Sequence, residues 1–164
     1  MKPIRFELHA RILKSPAEIA AEIADLSRWT EFQGYGPLPG IARAEYERRT
    51  ETMTGSRIRV QNTDGSSHVE EILAWDPGDH ILMKLHEFTP PLSRLASHFT
   101  EEWRFRPEHG ITGVIRRFEL HPNSRTARPL LWLISRLFKR AIDHHLAQMS
   151  ADASMIPRKM DEQR

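Results

Sequence analysis

The sequence predicts an α+β fold in which a curved antiparallel sheet of about seven strands wraps around a long C-terminal helix, with two short helices after the first strand. Two observations support this prediction. Short segments with alternating polar and apolar residues fill the chain from residue 41 to residue 121, and one long segment with helical spacing of apolar residues follows them. A single sheet must bury its inner face, and this helix is long enough to cover it.

The first strand and the first helix have the clearest local signals. Apolar and polar residues alternate over residues 4–12, which is the pattern of a strand with one buried face. Ser15, Pro16 and Glu18 then stand at the positions of a helix cap, of the first helical residue and of the reciprocal capping partner. A second short helical turn follows, and the Gly- and Pro-rich residues 34–40 exclude regular structure.

The rest of the sheet and the closing helix follow from periodicity and turn residues. Six further strands are predicted over residues 41–50, 56–63, 66–75, 79–88, 98–106 and 112–121. A long helix is predicted from about Ser124 to Met149, with a buried stripe formed by Leu130, Ile134, Leu137, Phe138, Ala141 and His145. We expect residues 1–150 to form one domain and residues 151–164 to form a flexible C-terminal tail.

Composition excludes several classes of protein. Of 164 residues, 39% are hydrophobic and 28% charged, the balance of a soluble globular domain. No apolar run approaches the roughly 20 residues that span a bilayer, so no stable membrane insertion is expected. The chain has no cysteine, which rules out disulfides, thiolate nucleophiles and cysteine metal sites. This usage fits a reducing compartment, and we expect a cytoplasmic protein.

The charge pattern gives no indication of a nucleic-acid partner. The chain has 24 basic and 22 acidic residues, for a net charge of +2, and the signs are interspersed. A nucleic-acid-binding protein would gather its basic residues on one face. They gather only near the C-terminus, at Arg125, Arg128, Arg136, Lys139 and Arg140, which we interpret as the solvated face of the long helix.

The order of elements resembles the START-like (Bet v 1-like, SRPBCC) superfamily, whose architecture is called the helix-grip fold. The likeness covers nearly the whole chain and rests on residues 4–29, on Gly55-Ser56, on Trp75-Asp76-Pro77 and on the helix over residues 125–149. Members bind lipids, sterols, polyketides, quinones or plant hormones, some are polyketide cyclases or dehydratases, and others activate chaperones. The resemblance therefore implies an internal cavity for a small hydrophobic ligand, while fold alone does not fix the function.

Two charged residues fall in the apolar rows of the last two strands. Glu101 shares a face with Phe99 and Trp103, and Arg116 shares a face with Val114 and Phe118. A register that keeps both rows inside pairs Phe99 with Phe118 and Trp103 with Val114. It places Glu101 directly opposite Arg116, and a buried carboxylate needs such a partner. We predict an ion pair in the cavity wall that orients a polar ligand group; a purely structural or exposed pair is the alternative.

The hairpin at Asp64-Gly65 allows two registers. A two-residue turn pairs Val60 with Val69 and turns Glu71, Leu73 and Trp75 inward. A three-residue turn with a bulge at Gly65 pairs Val60 with His68 instead. The sequence does not decide between the two registers. The choice matters because a slip of one residue moves every side chain of the strand to the other face of the sheet. The bulged form would bring together side chains suited to acid–base chemistry, namely Asn62, His68 and Glu70.

The sequence carries no signature of a metal or cofactor site. The nine histidines show no ligand spacing such as HExxH, and the adjacent His144 and His145 point about 100° apart on a helix. No GxSxG, P-loop or GxGxxG motif occurs. We therefore expect no bound metal and no cofactor.

Apolar residues in two loops predict the entrance to the cavity. Residues 33–40 contain Tyr35 and Leu38, and residues 88–97 contain Leu92. Exposed apolar loops at one end of a sheet suit a ligand entrance. The alternative is that these loops pack on the closing helix.

Three functions are compatible with these features. The first is a carrier or sensor that binds a small hydrophobic or amphipathic ligand. The second is a polyketide cyclase or dehydratase that uses His68, Glu70 or Glu101 as acid or base, with Arg116 stabilising an enolate. The third is lipid transfer at a membrane surface. We expect the partner to be a small hydrophobic ligand, and the sequence does not decide whether the chain forms a homodimer. The ligand-binding residues are predicted to be Tyr35, Leu38, Asn62, Leu92, Glu101, Trp103, Arg116, Phe118, Ile134 and Phe138.

Overall fold

The computed structural model describes residues 1–154 and consists of one sheet, one long helix and short helical segments. The strands are β1 (Ile4–Ile12), β2 (Ile41–Arg48), β3 (Arg57–Asn62), β4 (Ser67–Asp76), β5 (His80–His86), β6 (Ala96–Glu108) and β7 (Ile111–Pro122). The helices are α1 (Pro16–Ala24), a 3₁₀ helix (Leu26–Glu31), a second 3₁₀ helix (Leu92–Arg94) and α2 (Arg128–Ser154). Residues 155–164 of the predicted tail lie outside the described residues.

The seven strands form one antiparallel sheet in the order β1-β7-β6-β5-β4-β3-β2. Strands β2 to β7 pair as successive hairpins, while β1 pairs with β7. The chain therefore crosses from one edge of the sheet to the other between β1 and β2, through α1 and the first 3₁₀ helix. The α+β architecture predicted from the sequence, with its two short helices and its long closing helix, is confirmed.

The helix α1 begins as its sequence predicts. The Ser15 side chain accepts a hydrogen bond from the backbone N–H of Glu18, and the Glu18 side chain accepts one from the backbone N–H of Ser15. The buried residues of α1 include Ile19 and Ile23. The Trp29 indole donates a 2.9 Å hydrogen bond to the Ile23 carbonyl, which joins the first 3₁₀ helix to α1.

The buried stripe of α2 begins at Leu131, one residue later than predicted. Leu131 is fully buried, whereas Leu130 is 51% exposed, so its predicted place in the buried stripe is wrong. Five successive apolar residues, 130–134, leave the phase of the stripe undetermined in the sequence. The helix also extends to Ser154 and does not end near Met149.

The β6–β7 hairpin has a register two residues away from the predicted one. Phe99 lies opposite Leu120 and Trp103 lies opposite Arg116. His109 and Gly110 form the turn, with φ values of 46° and 84°. A two-residue turn with both φ angles positive favours glycine, and the predicted register would have placed Glu108 and His109 there instead. A slip of two residues keeps every side chain on its predicted face.

The β3–β4 hairpin takes the bulged form. Val60 pairs with His68 and Ile58 with Glu70, and Gly65 has a φ of 85°. The register left open by the sequence is thereby settled, and His68 and Glu70 are buried.

Within residues 1–154, no helix combines the length and the apolar character needed to cross a membrane.

Candidate functional site

A cavity of about 290 Å³ lies between the inner face of the sheet and α2. Its walls are mainly apolar, with aromatic and aliphatic side chains that include Leu85, Phe88, Phe99, Ile134, Phe138 and Ile142. A second cavity of about 90 Å³ adjoins it. The two share a boundary formed by Phe32, Ile41, Glu70, Glu101 and Arg116. The larger cavity is therefore an apolar chamber with one charged end.

The centre of this charged end is the ion pair of Glu101 and Arg116. Arg116 Nε donates to Glu101 Oε1 at 2.5 Å, and both side chains are buried. The two residues do not face each other directly, since Glu101 lies opposite Phe118. They meet diagonally across β6 and β7, within reach of long side chains. The predicted pair thus forms on the inner face.

Two further contacts hold the guanidinium of Arg116 in place. The guanidinium carbon lies 4.2 Å from the centre of the Trp103 ring, the residue directly opposite on β6. Such stacking attracts the cation to the face of the indole. Arg116 Nη1 lies 3.2 Å from His145 Nδ1 on α2. Arg116 therefore links the sheet to the closing helix.

The contact with Arg116 fixes the protonation of His145. A guanidinium has no acceptor, so Nδ1 accepts the hydrogen bond and the ring proton resides on Nε2. Burial, reinforced by the charges of Arg116 and Arg28, lowers the pKa of His145 to about 3. The ring is accordingly neutral at physiological pH.

The carboxyl group of Glu101 experiences opposing influences. Burial raises its pKa and is the largest cause, the charge of Arg116 lowers it, and the nearby Glu70 raises it again. The net direction is upward. The 2.5 Å ion pair with Arg116 therefore offsets part of the cost of burying this carboxyl group.

A second polar pair lines the larger cavity. His68 Nε2 lies 3.1 Å from Glu70 Oε1, and both side chains are buried. They stand two residues apart on β4, so they share the inner face. The Phe88 ring packs 6.0 Å from the imidazole. A carboxylate in this position holds the imidazole in one tautomer and one orientation.

An ion-pair cluster borders the smaller cavity at α1. Glu22 Oε1 accepts from Lys14 Nζ at 2.5 Å and lies 2.7 Å from Arg28 Nη1. Lys14 is only 8% exposed. The cluster joins α1 to the first 3₁₀ helix and is not among the features that the sequence predicts.

Most of the predicted site residues do line the cavities. The larger cavity contacts the candidate acid–base residues His68, Glu70 and Glu101, and the predicted ligand-binding residues Leu38, Asn62, Leu92, Glu101, Arg116, Ile134 and Phe138. Trp103 lines the smaller cavity. Phe118 is buried behind the wall, where its ring stacks on Phe6 at 5.0 Å and meets Phe138 at 4.8 Å.

Both predicted entrance loops border the larger cavity, while one residue of the first loop packs on the closing helix. Leu38 and Leu92 border the larger cavity, as an entrance requires. Tyr35 instead packs on α2, where its ring lies 5.4 Å from that of His144 and 5.6 Å from the Arg140 guanidinium carbon.

Some functional residues are not predicted from the sequence: His145, with its contact to Arg116, and the wall residues Phe32, Phe88 and Phe99. The helical spacing predicts His145 in the inner stripe of the helix, and its type makes it a candidate metal ligand, but neither points to a contact with Arg116. A polar residue in an apolar stripe was the available signal. Among residues 1–154, no group of three or more His, Cys, Asp or Glu side chains is arranged to hold a metal ion.

Comparison with known proteins establishes the family. Residues 3–153 match the family described as polyketide cyclase/dehydrase and lipid transport, so the chain belongs to that family. A search among curated proteins found no match.

Solved structures share the fold at low sequence identity. The ZhuI aromatase/cyclase from Streptomyces sp. R1128 is 12% identical, with a TM-score of 0.70 over 93% of this chain and 94% of that one. The di-domain aromatase/cyclase StfQ of the steffimycin biosynthetic pathway is 18% identical, with a TM-score of 0.69 over 93% of this chain and 52% of that one. The major latex-like protein 151 from Panax ginseng is 15% identical, with a TM-score of 0.58 over 88% of this chain and 98% of that one.

Proposed function

We propose that this member of the polyketide cyclase/dehydrase and lipid transport family binds a small amphipathic molecule inside the larger cavity, as a carrier or sensor. The observation behind the proposal is an apolar chamber that ends on the buried guanidinium of Arg116. Ligand pockets typically combine apolar walls with a few placed polar groups. The ligand's apolar body would lie against Phe99, Ile134 and Phe138, and its oxygen would face Arg116.

The volume of the cavity limits the size of the ligand. A cavity of about 150 Å³ accommodates benzene. The cavity here measures about 290 Å³, at the lower end of the range for small-molecule pockets, roughly 300–1,000 Å³. A compact molecule of about two fused rings fits these dimensions.

Two neighbouring residues of α2 provide a matched test. Ile134 lines the cavity, whereas Leu133 is 52% exposed on the outer face. In a fluorescence titration with the neutral bicyclic probe 2-naphthol, we expect Ile134→Trp to weaken binding by at least ~10-fold because the indole fills the chamber. Leu133→Trp should bind as the wild type does. Equal binding to both variants would place the probe outside the cavity and contradict the proposal.

A second candidate function is acid–base catalysis on a ketone, and the inward His68–Glu70 pair favours it. If Glu70 accepts the Nε2–H of His68, the Nδ1 lone pair is left to remove a proton from the carbon next to a carbonyl group. The electrons then move onto the carbonyl oxygen, and Arg116 can stabilise the resulting enolate. The structural neighbours named as aromatase/cyclases lend support to this class of chemistry.

Hydrogen–deuterium exchange separates catalysis from carriage. The bicyclic ketone 2-tetralone exchanges its C1 protons in D₂O, and NMR follows the rate. A catalyst should accelerate this exchange, and His68→Gln should remove the acceleration. The control is His121→Gln, which changes a histidine on the opposite face of β7. Binding of 2-tetralone without any acceleration would exclude proton abstraction by His68.

A further inference from the structure

The charged side chains at the polar end of the cavity carry no net positive charge. Glu70 and Glu101 contribute two carboxylates, and Arg116 contributes one guanidinium. His145 is neutral because its pKa is lowered to about 3. His68 adds at most one positive charge, which its partner Glu70 already offsets. With both carboxylates ionised, the sum is therefore zero or negative.

The geometry also shows that Arg116 is already occupied by a carboxylate. Its Nε lies 2.5 Å from Glu101 Oε1, its Nη1 contacts His145, and its face lies on Trp103. A ligand carboxylate at this point would compete with Glu101 for one guanidinium. Repulsion between like charges is strong where water is excluded, so the second carboxylate would bind at a large cost.

A neutral oxygen does not meet this obstacle. A carbonyl or phenol oxygen can accept from Arg116 N–H groups that point away from Glu101, because a guanidinium has five donors. A hydroxyl group can in turn donate to Glu70, which lines the same end of the cavity. The arrangement thus recognises a hydroxyl or a carbonyl group and disfavours a ligand that brings its own carboxylate to Arg116.

We propose that the cavity selects neutral phenols, enols or ketones over carboxylates of the same shape, and that Glu101 is the residue that sets this selectivity. The inference rests on the proposed function, ligand binding in the larger cavity. It adds the chemical class of the ligand and names the side chain that excludes the competing class.

The test compares 2-naphthol with 2-naphthoate, which share one ring system and differ in charge, by calorimetry at pH 7.5. We expect the wild type to bind 2-naphthol at least ~10-fold more tightly than 2-naphthoate. Glu101→Gln keeps an oxygen for Arg116 and removes the competing charge. It should strengthen 2-naphthoate binding by ~10-fold or more and so reduce the preference for 2-naphthol. Glu102→Gln, on the outer face of β6, should leave both affinities unchanged.

The possible results separate the two proposals. Equal affinity of the wild type for the two compounds would overturn the selectivity, and this comparison needs no variant. Failure of folded Glu101→Gln to gain affinity for 2-naphthoate would overturn the role of Glu101. If neither compound binds to any of the proteins, the proposed ligand-binding function itself is contradicted.

The outer face of α2 exposes several large apolar side chains to solvent. Six large apolar side chains are exposed among the described residues, and three of them lie within one turn of α2: Leu130, Trp132 and Leu133, each more than half exposed. Between His121 and Ile142 the chain has five Arg or Lys residues and no Asp or Glu. The exposed apolar side chains of α2 therefore lie in a stretch of chain with an excess of positive charge, and Arg136 stands beside Trp132 on the same face.

This combination is complementary to the surface of a lipid bilayer with anionic headgroups. Apolar side chains enter the boundary between headgroups and acyl chains, while Arg and Lys residues attract the negative surface. Arg136 lies 5.6 Å from the ring of Trp132, so charge and apolar area are contiguous. Ile134 and Leu137 of the same helix line the cavity, which places this face beside the ligand chamber.

We infer that the outer face of the first half of α2 docks on anionic membranes. The test is sedimentation with vesicles of phosphatidylcholine and phosphatidylserine, compared with phosphatidylcholine alone. We expect binding to the anionic vesicles, weakened at least ~10-fold by Trp132→Ala and by Arg136→Glu. Arg43→Glu on β2, whose side chain is also exposed, is the control for a change in net charge.

This inference would be overturned if vesicle binding did not depend on lipid charge, or if neither helix variant weakened it. A concentration-dependent dimer that Trp132→Ala dissociates, without any vesicle binding, would assign the face to a second copy of the chain and equally overturn it.

Discussion

Arg116 is the side chain on which the polar end of the cavity depends. It neutralises a carboxylate that burial disfavours, it stacks on an indole, and it contacts a neutral imidazole on α2. Each partner comes from a different position along the chain. Removal of Arg116 therefore has a larger effect than removal of an exposed arginine, because the partners remain buried.

The stability of variants at Arg116 tests this dependence. We expect Arg116→Met to lower the free energy of unfolding by about 3–5 kcal/mol, because Glu101 is left buried without its partner. The double variant Glu101→Gln/Arg116→Met should recover a large part of that loss. Arg117→Met, on the exposed face of the same strand, should cost much less, because solvent screens its ion pairs. Urea unfolding measures all three, and similar losses for Arg116→Met and Arg117→Met would contradict the account.

His145 makes stability depend on pH. Its pKa in the folded state is about 3, below the value of about 6.5 in the unfolded chain. As the pH falls below 6.5, the unfolded state takes up the proton first, so stability present at pH 7 is lost on acidification. At pH 5 the loss from this group amounts to about 2 kcal/mol.

Replacement of His145 by glutamine should remove this part of the pH dependence while an acceptor for Arg116 is retained. Urea unfolding at pH 7 and pH 5 should show a smaller drop for His145→Gln than for the wild type. The neighbouring His144→Gln, on an exposed position of α2, should behave as the wild type does. Identical pH dependence of His145→Gln and the wild type would show that the ring is not held neutral.

At the scale of elements, turn chemistry decides registers that hydrophobic pattern leaves open. The β6–β7 hairpin turns at His109-Gly110, and both residues have positive φ. The apolar rows alone fit equally well with a register shifted by two residues, since such a shift keeps every residue on its face. This explains why the pairing of Glu101 with Arg116 could be predicted while its register could not.

A substitution at Gly110 tests the turn. No atom lies within 4 Å of a Cβ built on Gly110, so Gly110→Ala meets no steric obstacle and changes only the backbone preference. We expect a loss of about 1–2 kcal/mol, because φ is 84° at this position. His109→Asn should raise stability slightly, since Asn-Gly is the preferred pair for this turn. Thermal unfolding measures both, and an unchanged melting temperature for Gly110→Ala would contradict the assigned turn.

In the helices, too, some features are set by neighbouring residues in the sequence and others by packing against the sheet. The capping box of α1 is local, and the sequence predicts it correctly from Ser15 and Glu18. The phase of α2 is not local. With apolar residues at every position from Leu130 to Ile134, the packing against the sheet selects the buried side, and this selection leaves Leu130 and Leu133 in solvent.

At the scale of the whole molecule, the alternating strands and the final helix are sufficient to predict the architecture. They are insufficient to predict the cavity, because its volume depends on side chains that meet only in the folded protein. His145 and Arg116 are far apart in the sequence and in contact in the structure. The candidate site was therefore predicted where a charge interrupted an apolar strand, and missed where aromatic residues from loops and helices complete the wall.

The central claim is that a small amphipathic molecule binds in the larger cavity with its polar group at Arg116. Isotope-filtered NMR on the labelled protein with saturating 2-naphthol tests it most directly. We predict intermolecular contacts from the naphthol ring to Leu85, Ile134 and Phe138, which line the chamber. Contacts confined to Trp132 and Leu133 on the outer face of α2, or no contact at all, would contradict the claim.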